Sequence, residues 1–160
     1  MTSPRTVSSE FLMQDPILKH LPSIELSRMV VHTEWKLVRK GDKIAVEGDL
    51  ADHVYLIEKG RFVIRRKELK TLRTKHGFIG IEGVLGADRY IETIVALEDS
   101  SIITFSTSYI RELIGKNVSI GRLFFNCYVK RHHKLDTVHQ EKLESKTSLK
   151  REPFPFASVI

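Results

Sequence analysis

The sequence predicts a mainly β protein with flanking helices. We expect an antiparallel, jelly-roll-like β-roll, preceded by N-terminal helices and followed by a long C-terminal dimerisation helix. Between residues 35 and 105, short runs of β-branched and aromatic residues recur at nearly regular spacing, and glycines separate them. Such runs are typical of a closed all-β roll or barrel. Apolar residues follow helical spacing before and after this region. The predicted segments are 1–33 (tail and short helices), 34–106 (roll), 107–145 (short and long helix) and 146–160 (extended tail).

The opening of the chain predicts two short helices after an irregular start. Residues 1–9 are polar and show no periodicity, which is typical of a frayed terminus. Asp15 is followed by a proline, and this pair predicts a helix start, because aspartate caps a helix and proline fits the first helical position. Pro22 interrupts this helix. Ser23 is expected to cap a second helix, and the helical opening reaches about Thr33.

Eight strand-type runs follow in the central region. The dipeptide Lys59-Gly60 predicts a tight turn between the third and the fourth run, because glycine adopts a positive φ at little cost. The predicted runs cover residues 35–38, 44–46, 53–57, 62–64, 69–74, 78–81, 90–97 and 101–105.

Two helices are predicted after the last strand. Ser106 or Thr107 caps a short helix that ends near Asn117, and a longer helix begins near Ser119. In this longer helix, apolar side chains recur at spacings of four and three, which is typical of a coiled-coil seam. A small buried thiol is the expected state of Cys127, beside the seam. The predicted dimer interface comprises Phe124, Cys127, Tyr128, Arg131, Leu135 and Val138.

The positive charge of the chain is local. The net charge is +6, and residues 61–76 alone hold seven bases and one acid, a difference of +6. Solvated strand edges, which Lys and Arg protect from aggregation, are the favoured interpretation. A surface for an anion or a partner is the alternative. One cysteine in the whole chain excludes an internal disulfide framework and a four-thiolate zinc site.

No apolar run is long enough to span a membrane, because charged residues interrupt each of them. No signal-peptide pattern follows the first residues. We therefore expect a soluble, cytoplasmic protein without membrane contact.

Several motifs carry a resemblance to a known family. VxKGD at 38–42, AxEGD at 45–49 and VYLIxxG at 54–60 form one set, and GIEGVL at 80–85 is followed by TxxALEDS at 93–100. Together they resemble the glycine framework of cyclic-nucleotide-binding domains. Within that superfamily, the motifs are most similar to those of the Crp/Fnr transcription regulators.

This resemblance implies a phosphate-binding cassette, here residues 80–93. In the family, backbone N–H groups of the cassette bind a cyclic phosphate, an arginine neutralises it, and a glutamate binds the ribose hydroxyl. The implied ligand-binding positions are Gly80, Ile81, Glu82, Gly83, Arg89, Tyr90, Glu92 and Thr93.

The cassette departs from the family pattern at its anchoring positions. Ile81 replaces the glutamate, Tyr90 replaces the arginine, and Glu92 adds an acid beside a site for an anion. A shift by one residue would recruit Glu82 and Arg89 to the two roles instead. We assign no cofactor: cyclic nucleotide is a candidate ligand of a degenerate cassette, and we expect cyclic AMP not to bind.

Two sets of residues could hold a metal ion or a haem, but the sequence gives only weak support for either. His132, Asp136 and His139 share one helix face and have metal-ligand chemistry, but a solvated polar stripe is favoured, so no metal site is predicted. His76 is a candidate haem ligand, as in some Crp/Fnr-like gas sensors, and a turn residue is the favoured interpretation. No catalytic motif is found, so we expect no catalytic residues and no enzyme activity.

Two functions stay open. The first is a regulatory sensor domain of the Crp/Fnr type, responding to a small-molecule effector or ligand-free, which signals through its dimer helix in transcription regulation. The second is an effector-free homodimeric scaffold that binds a protein partner through the basic stretch or through Phe154 and Phe156. Residues 142–160 are too few for the helix-turn-helix unit of Crp/Fnr regulators, so we expect no specific DNA binding by this chain alone.

Overall fold

The structure is a computed structural model that describes residues 6–67 and 70–131, with the backbone alone at residues 70 and 71. Two helices precede the sheets and two follow them. They are α1 (Ser9–Met13), α2 (Ser23–Val30), α3 (Thr107–Lys116) and α4, of which residues 118–131 are described. Short 3-10 helices cover Leu18–His20 and Ile81–Gly83.

Eight antiparallel strands form two four-stranded sheets, with the orders β1-β8-β3-β6 and β2-β7-β4-β5. The predicted β-roll with flanking helices is therefore confirmed. The strands are β1 (Thr33–Val38), β2 (Lys43–Ala45), β3 (His53–Lys59), β4 (Phe62–Arg66), β5 (Lys70–Thr74), β6 (Gly77–Ile79), β7 (Thr93–Ala96) and β8 (Ser100–Ser106).

The first sheet is covered on both faces. Alternate residues of a strand point to opposite faces. Val54 and Leu56 of β3 pack with the helices, whereas Ile57 of the same strand packs inside the roll. Strand β8 divides in the same way, with Ile103 toward the helices and Ile102 toward the second sheet. The result is two apolar cores, one between the first sheet and the helices and one between the two sheets.

The N-terminal segment differs from the sequence prediction. Residues 1–9 were expected to be irregular, yet α1 begins at Ser9, and the Ser8 hydroxyl accepts a hydrogen bond from the N–H of Phe11. Asp15 caps as predicted, but what it caps is the short 3-10 helix Leu18–His20, through the N–H groups of residues 17 and 18. Ser23 is the first residue of α2 and makes no cap.

The element that follows the last strand agrees with the prediction. The Ser106 hydroxyl accepts a hydrogen bond from the N–H of Tyr109 and caps α3, and the helix ends at Lys116, with Asn117 as its C-cap residue. Among the described residues, no helix combines the length and the apolar character that crossing a bilayer requires.

Candidate functional site

The cassette begins at a sharp backbone turn. Gly80 has φ +71°, in the left-handed region that glycine adopts without strain, and the 3-10 helix Ile81–Gly83 follows directly. Gly83 lies so close to the carbonyl oxygen of Ala51 that a Cβ on residue 83 would be 2.5 Å from it. At the other end of the cassette, the Thr93 hydroxyl accepts a hydrogen bond from the N–H of Glu47. The backbone of the cassette is therefore held tightly against the roll.

Helix α3 anchors the outer side of the cassette. Arg111 donates from Nε to the Gly83 carbonyl at 2.6 Å and from Nη2 to the Ala87 carbonyl at 3.4 Å. Thr107 donates from its hydroxyl to the Ala51 carbonyl at 2.7 Å. These bonds tie the cassette, at Gly83 and Ala87, and the segment around Ala51 to one helix.

Tyr90, at the position of the family's arginine, is buried and belongs to the core of the roll. Its hydroxyl donates to the His53 carbonyl at 2.5 Å and accepts from the His53 N–H at 3.3 Å. Burial raises the pKa of this hydroxyl, so it stays neutral. A Cβ on Gly80 would lie 3.5 Å from the Tyr90 ring and 3.4 Å from the Tyr55 ring. The neutral side chains of Tyr55 and Tyr90 thus line the turn at Gly80, where a bound phosphate would require a positive charge.

The alternative with the roles shifted by one residue is not realised by Arg89. This side chain is exposed, and its Nη1 donates to the Gly48 carbonyl at 2.9 Å on the outer edge of the roll. Residue 89 forms an isolated bridge with Leu50, so neighbouring side chains point to opposite sides and Tyr90 takes the inner one. Ile81, at the glutamate position, is buried among apolar residues that pack with the helices.

A buried ion pair closes the space between the cassette and β4. The Arg66 guanidinium Nη2 lies 2.6 Å from Glu92 Oε1, and the two side chains are 14% and 3% exposed. Arg66 also shares a hydrogen bond with the Tyr128 hydroxyl of α4. Such a charge-assisted bond is short and strong, and breaking it leaves an uncompensated charge inside the protein.

Glu82 lies beside this pair and is also buried. Neither of its carboxylate oxygens has a hydrogen-bond partner among the described residues. Burial, and after it the charge of Glu92, raises the pKa of Glu82 to about 8, while the cation of Arg131 acts in the opposite direction. Near neutral pH the Glu82 carboxyl is therefore mostly protonated, in contrast to the free carboxylate that a ribose hydroxyl would require.

One face of the described part of α4 packs against the rest of the domain. Phe124 is fully buried and meets Phe78 edge to face, with ring centroids 5.0 Å apart. The prediction that Phe124 belongs to a dimer seam is therefore not needed to explain its apolar character, because this chain already covers it. Cys127, Tyr128 and Arg131 are partly buried against the same domain.

A different face of α4 is apolar and exposed. Val118, Phe125 and Val129 expose 72%, 55% and 46% of their surface. Their spacings of seven and four residues place them on one side of the helix. The two other predicted interface residues, Leu135 and Val138, lie outside the described residues.

A cavity of about 740 Å³ lies between α4 and the turn that joins β5 to β6. His76 is exposed in this turn, and its carbonyl accepts a hydrogen bond from the Thr74 hydroxyl. Within residues 6–67 and 70–131, no group of three or more His, Cys, Asp and Glu is arranged to hold a metal ion. The cluster of His132, Asp136 and His139 lies outside these ranges.

The role of Arg66 differs from the sequence prediction, in which this residue is one of the seven bases of the basic stretch. The available signal was the alternation in β4: Phe62 and Ile64 are fully buried in the core of the roll, so residue 66 shares their inward face. A cation at an inward position predicts a buried acid elsewhere in the fold.

The comparisons with known proteins agree with this geometry. The family model described as cyclic nucleotide-binding domain matches residues 35–117, slightly more than half of the chain. The chain therefore belongs to the cyclic nucleotide-binding domain family. The resemblance that the glycine motifs carry is confirmed.

Individual relatives are distant. The cAMP-dependent protein kinase regulatory subunit of Candida albicans is 26% identical over 118 residues, which are 72% of this chain and 26% of the relative. This chain thus spans about a quarter of that protein's length.

Two solved structures show the same fold. The sensor domain of the transcriptional regulator DNR from Pseudomonas aeruginosa has a TM-score of 0.67 and 17% identity, over 78% of this chain and 92% of that one. The guanosine-bound regulatory subunit of a cAMP-independent protein kinase A from Trypanosoma cruzi has a TM-score of 0.67 and 17% identity, over 83% of this chain and 49% of that one.

Proposed function

We propose that this chain is a regulatory domain of the cyclic nucleotide-binding family that works without a cyclic nucleotide. The observation that carries the proposal is the buried pair of Arg66 and Glu92, which fills the space between the cassette and β4. The cation nearest the cassette interior is thus already neutralised by an acid of the same chain. Regulation then depends on contacts that the domain makes with other proteins or with a ligand of another kind.

The electrostatics of the cassette support this proposal. A cyclic phosphate entering beside Gly80 would meet the neutral hydroxyl of Tyr90 in place of an arginine. It would also approach the carboxylate of Glu92, and like charges repel in a medium of low polarity, while the mostly protonated carboxyl of Glu82 supplies no positive charge. The Trypanosoma cruzi relative, whose description says that it is cAMP-independent and bound to guanosine, indicates that this fold also occurs without a response to cAMP.

Thermal unfolding with and without ligand tests the proposal. Cyclic AMP or cyclic GMP should leave the melting temperature of the wild-type chain unchanged. A ligand at a hundredfold excess over its Kd would stabilise the fold by about 2.7 kcal/mol and raise the melting temperature by several degrees. Such a shift would overturn the proposal.

A variant that restores the family's arginine sharpens this test. Tyr90→Arg and Glu92→Ala together supply an arginine on the inner side of the cassette and release Arg66 from its acid. This variant should bind cyclic AMP where the wild type does not, as measured by isothermal titration calorimetry. Arg89→Ala is the matched control: if the wild type binds cyclic AMP and Arg89→Ala abolishes binding, the alternative with shifted roles is correct.

We further propose that the chain is a homodimer joined through α4. Phe125 and Val129 are large apolar side chains exposed on one face, and a two-fold partner that presents the same stripe would bury both copies. Burial of two such side chains per chain contributes several kcal/mol at about 1.5–3 kcal/mol each. Leu135 and Val138 remain predicted interface residues from the sequence, at the helical spacing of Phe124 and not at that of Phe125.

Light scattering after size exclusion tests the dimer. Phe125→Glu should release monomers with an unchanged β-sheet signal in circular dichroism. Leu37→Glu, at an exposed apolar position of β1, is a control for the added charge. A monomer mass for the wild-type chain at roughly tens of micromolar would contradict the dimer.

The partners of the domain follow from the classes of its relatives. A kinase regulatory subunit and a transcriptional regulator both carry this fold, so control of a kinase and control of transcription are both consistent with it. We keep transcription regulation as the predicted role, without specific DNA binding by this chain alone. Catalytic activity is not expected.

A further inference from the structure

The cavity of about 740 Å³ lies at the open side of the roll. Strands β5 and β6 are the edge strands of the two sheets, and they follow each other in the chain. One wall of the cavity is formed by β5 and the turn after it, and the opposite wall is one face of α4. This volume lies within the range of about 300–1,000 Å³ that is typical of small-molecule sites.

The inner surface of this cavity is apolar. Ile17 and Phe78 are buried at its base, and Leu72 and Leu123 are partly exposed to it from opposite walls. An apolar surface of this kind gains free energy when a hydrocarbon displaces water from it, by about 25 cal/mol per Å².

The rim of the cavity is basic. Five cationic side chains line it, and among the described lining residues the one acid is Asp15, whose carboxylate already accepts the N–H groups of residues 17 and 18. Two of the five cations face acids elsewhere: Arg61 pairs with Glu98, and Arg131 faces Glu82. The other three, Arg73, Lys75 and Lys130, form no ion pair within the described ranges.

We propose that this cavity binds a small anionic amphiphile, a molecule with a hydrocarbon body and one carboxylate or similar head group. The body packs on the apolar base, and the head group lies between Arg73, Lys75 and Lys130. The proposal does not depend on the absence of nucleotide binding, since the cavity is lined by residues outside the cassette.

Three probes with the same twelve-carbon chain test it by calorimetry below their critical micelle concentrations. Dodecanoate carries a negative head group, dodecan-1-ol a neutral one and dodecyltrimethylammonium a positive one. Dodecanoate should bind at one site per chain, at least about tenfold tighter than either of the others, and added salt should reduce that difference. Equal affinity for the three probes, or no binding of dodecanoate, would overturn the proposal.

Matched charge reversals locate the site. Arg73→Glu should weaken dodecanoate binding by about tenfold or more, because it replaces an attracting charge with a repelling one at the rim. Arg65→Glu makes the same change in the same basic stretch, but Arg65 does not line the cavity, so binding should stay within about twofold. Equal losses in the two variants would show nonspecific attraction and contradict the site. If Arg73→Glu unfolds, Lys75→Glu provides the same comparison.

Vesicle sedimentation separates a soluble amphiphile from a membrane surface. Vesicles of phosphatidylcholine with phosphatidylglycerol should not sediment the protein under conditions in which dodecanoate binds. Sedimentation with these vesicles together with an absence of dodecanoate binding would overturn the proposal in favour of a lipid surface. Cyclic AMP, added in a parallel titration, reports on the cassette alone and leaves the two proposals distinguishable.

Discussion

The interior of the cassette and the cavity at the open side of the roll each contain an arginine, but the two arginines differ in burial and in pairing. Arg66 lies inside and is 14% exposed, and its guanidinium is bound at 2.6 Å to Glu92. Arg73 lies near the end of β5, exposed at the rim of the cavity, and no acid among the described residues forms an ion pair with it. Burial forces a cation to find its partner within the chain, whereas solvent leaves it available. The cation beside the cassette is therefore paired within the chain, and the cations that form no ion pair among the described residues lie elsewhere.

The largest effect that would sharpen this contrast is expected from Arg66→Leu. Removing the buried cation leaves the Glu92 carboxylate without its counter-charge and should cost about 3–5 kcal/mol of unfolding free energy. Urea denaturation measures it. Arg65→Leu, one residue away and exposed, should stay within about 0.5 kcal/mol of the wild type. Equal costs for the two variants would show that the pair does not act as a buried unit.

Glu82→Gln should raise stability in a pH-dependent way. The folded-state pKa of Glu82, about 8, exceeds its ordinary value of 4.5, so the folded chain binds this proton more tightly than the unfolded chain. The stabilisation is complete below about pH 4.5 and is lost as the pH rises to about 8. The uncharged glutamine should therefore flatten this decline and gain about 1–3 kcal/mol at pH 8. Urea titrations at several pH values measure it, and an unchanged slope between pH 5 and 8 would contradict the burial of this carboxyl.

Tyr90→Phe should have a smaller effect. It removes the hydroxyl that bonds to both backbone groups of His53 while keeping the ring in the roll, so the expected loss is about 1 kcal/mol. Tyr109→Phe is the control, because its hydroxyl makes no hydrogen bond that is seen within the described chain. Thermal unfolding compares the two. A Tyr90→Phe variant as stable as the wild type would mean that this hydroxyl does not hold the cassette closed.

The smallest effect on stability is expected at the cavity rim. Arg73→Glu should change the unfolding free energy by less than about 0.5 kcal/mol, because its side chain is exposed and unpaired within the described residues. A loss comparable with that of Arg66→Leu would remove the contrast between the two regions.

The strands were predictable because their signal is local. In β3, Val54 and Leu56 lie on one face, and Tyr55 and Ile57 lie on the other, so both faces of the strand must be covered. The turn at Gly60 then fixes where the next strand begins. The assignment of Tyr90 to the position of the family's arginine rests instead on the resemblance of the cassette motif to the family pattern. By contrast, the sequence did not predict α1, because a helix of five residues is too short to show a helical periodicity.

The chemistry of the interior was not predictable in the same way. Arg66 and Glu92 are 26 residues apart in sequence and meet only because β4 pairs with β7. The helix face of Phe124 was read as a seam for a partner, since helical spacing shows which side chains share a face but does not show what covers that face. The covering element is the domain itself, through Phe78.

The bonds from Arg111 to the carbonyls of Gly83 and Ala87 have a consequence for motion. A cassette held in this way cannot open while α3 stays docked, because each opening would leave a guanidinium and two carbonyls without partners. The amides of Val84 and Leu85 should therefore exchange their hydrogens at the same rate of opening as those of α3, as one cooperative unit. A partner that displaces α3 would therefore also loosen the first turn of the cassette, and this coupling would require no bound ligand.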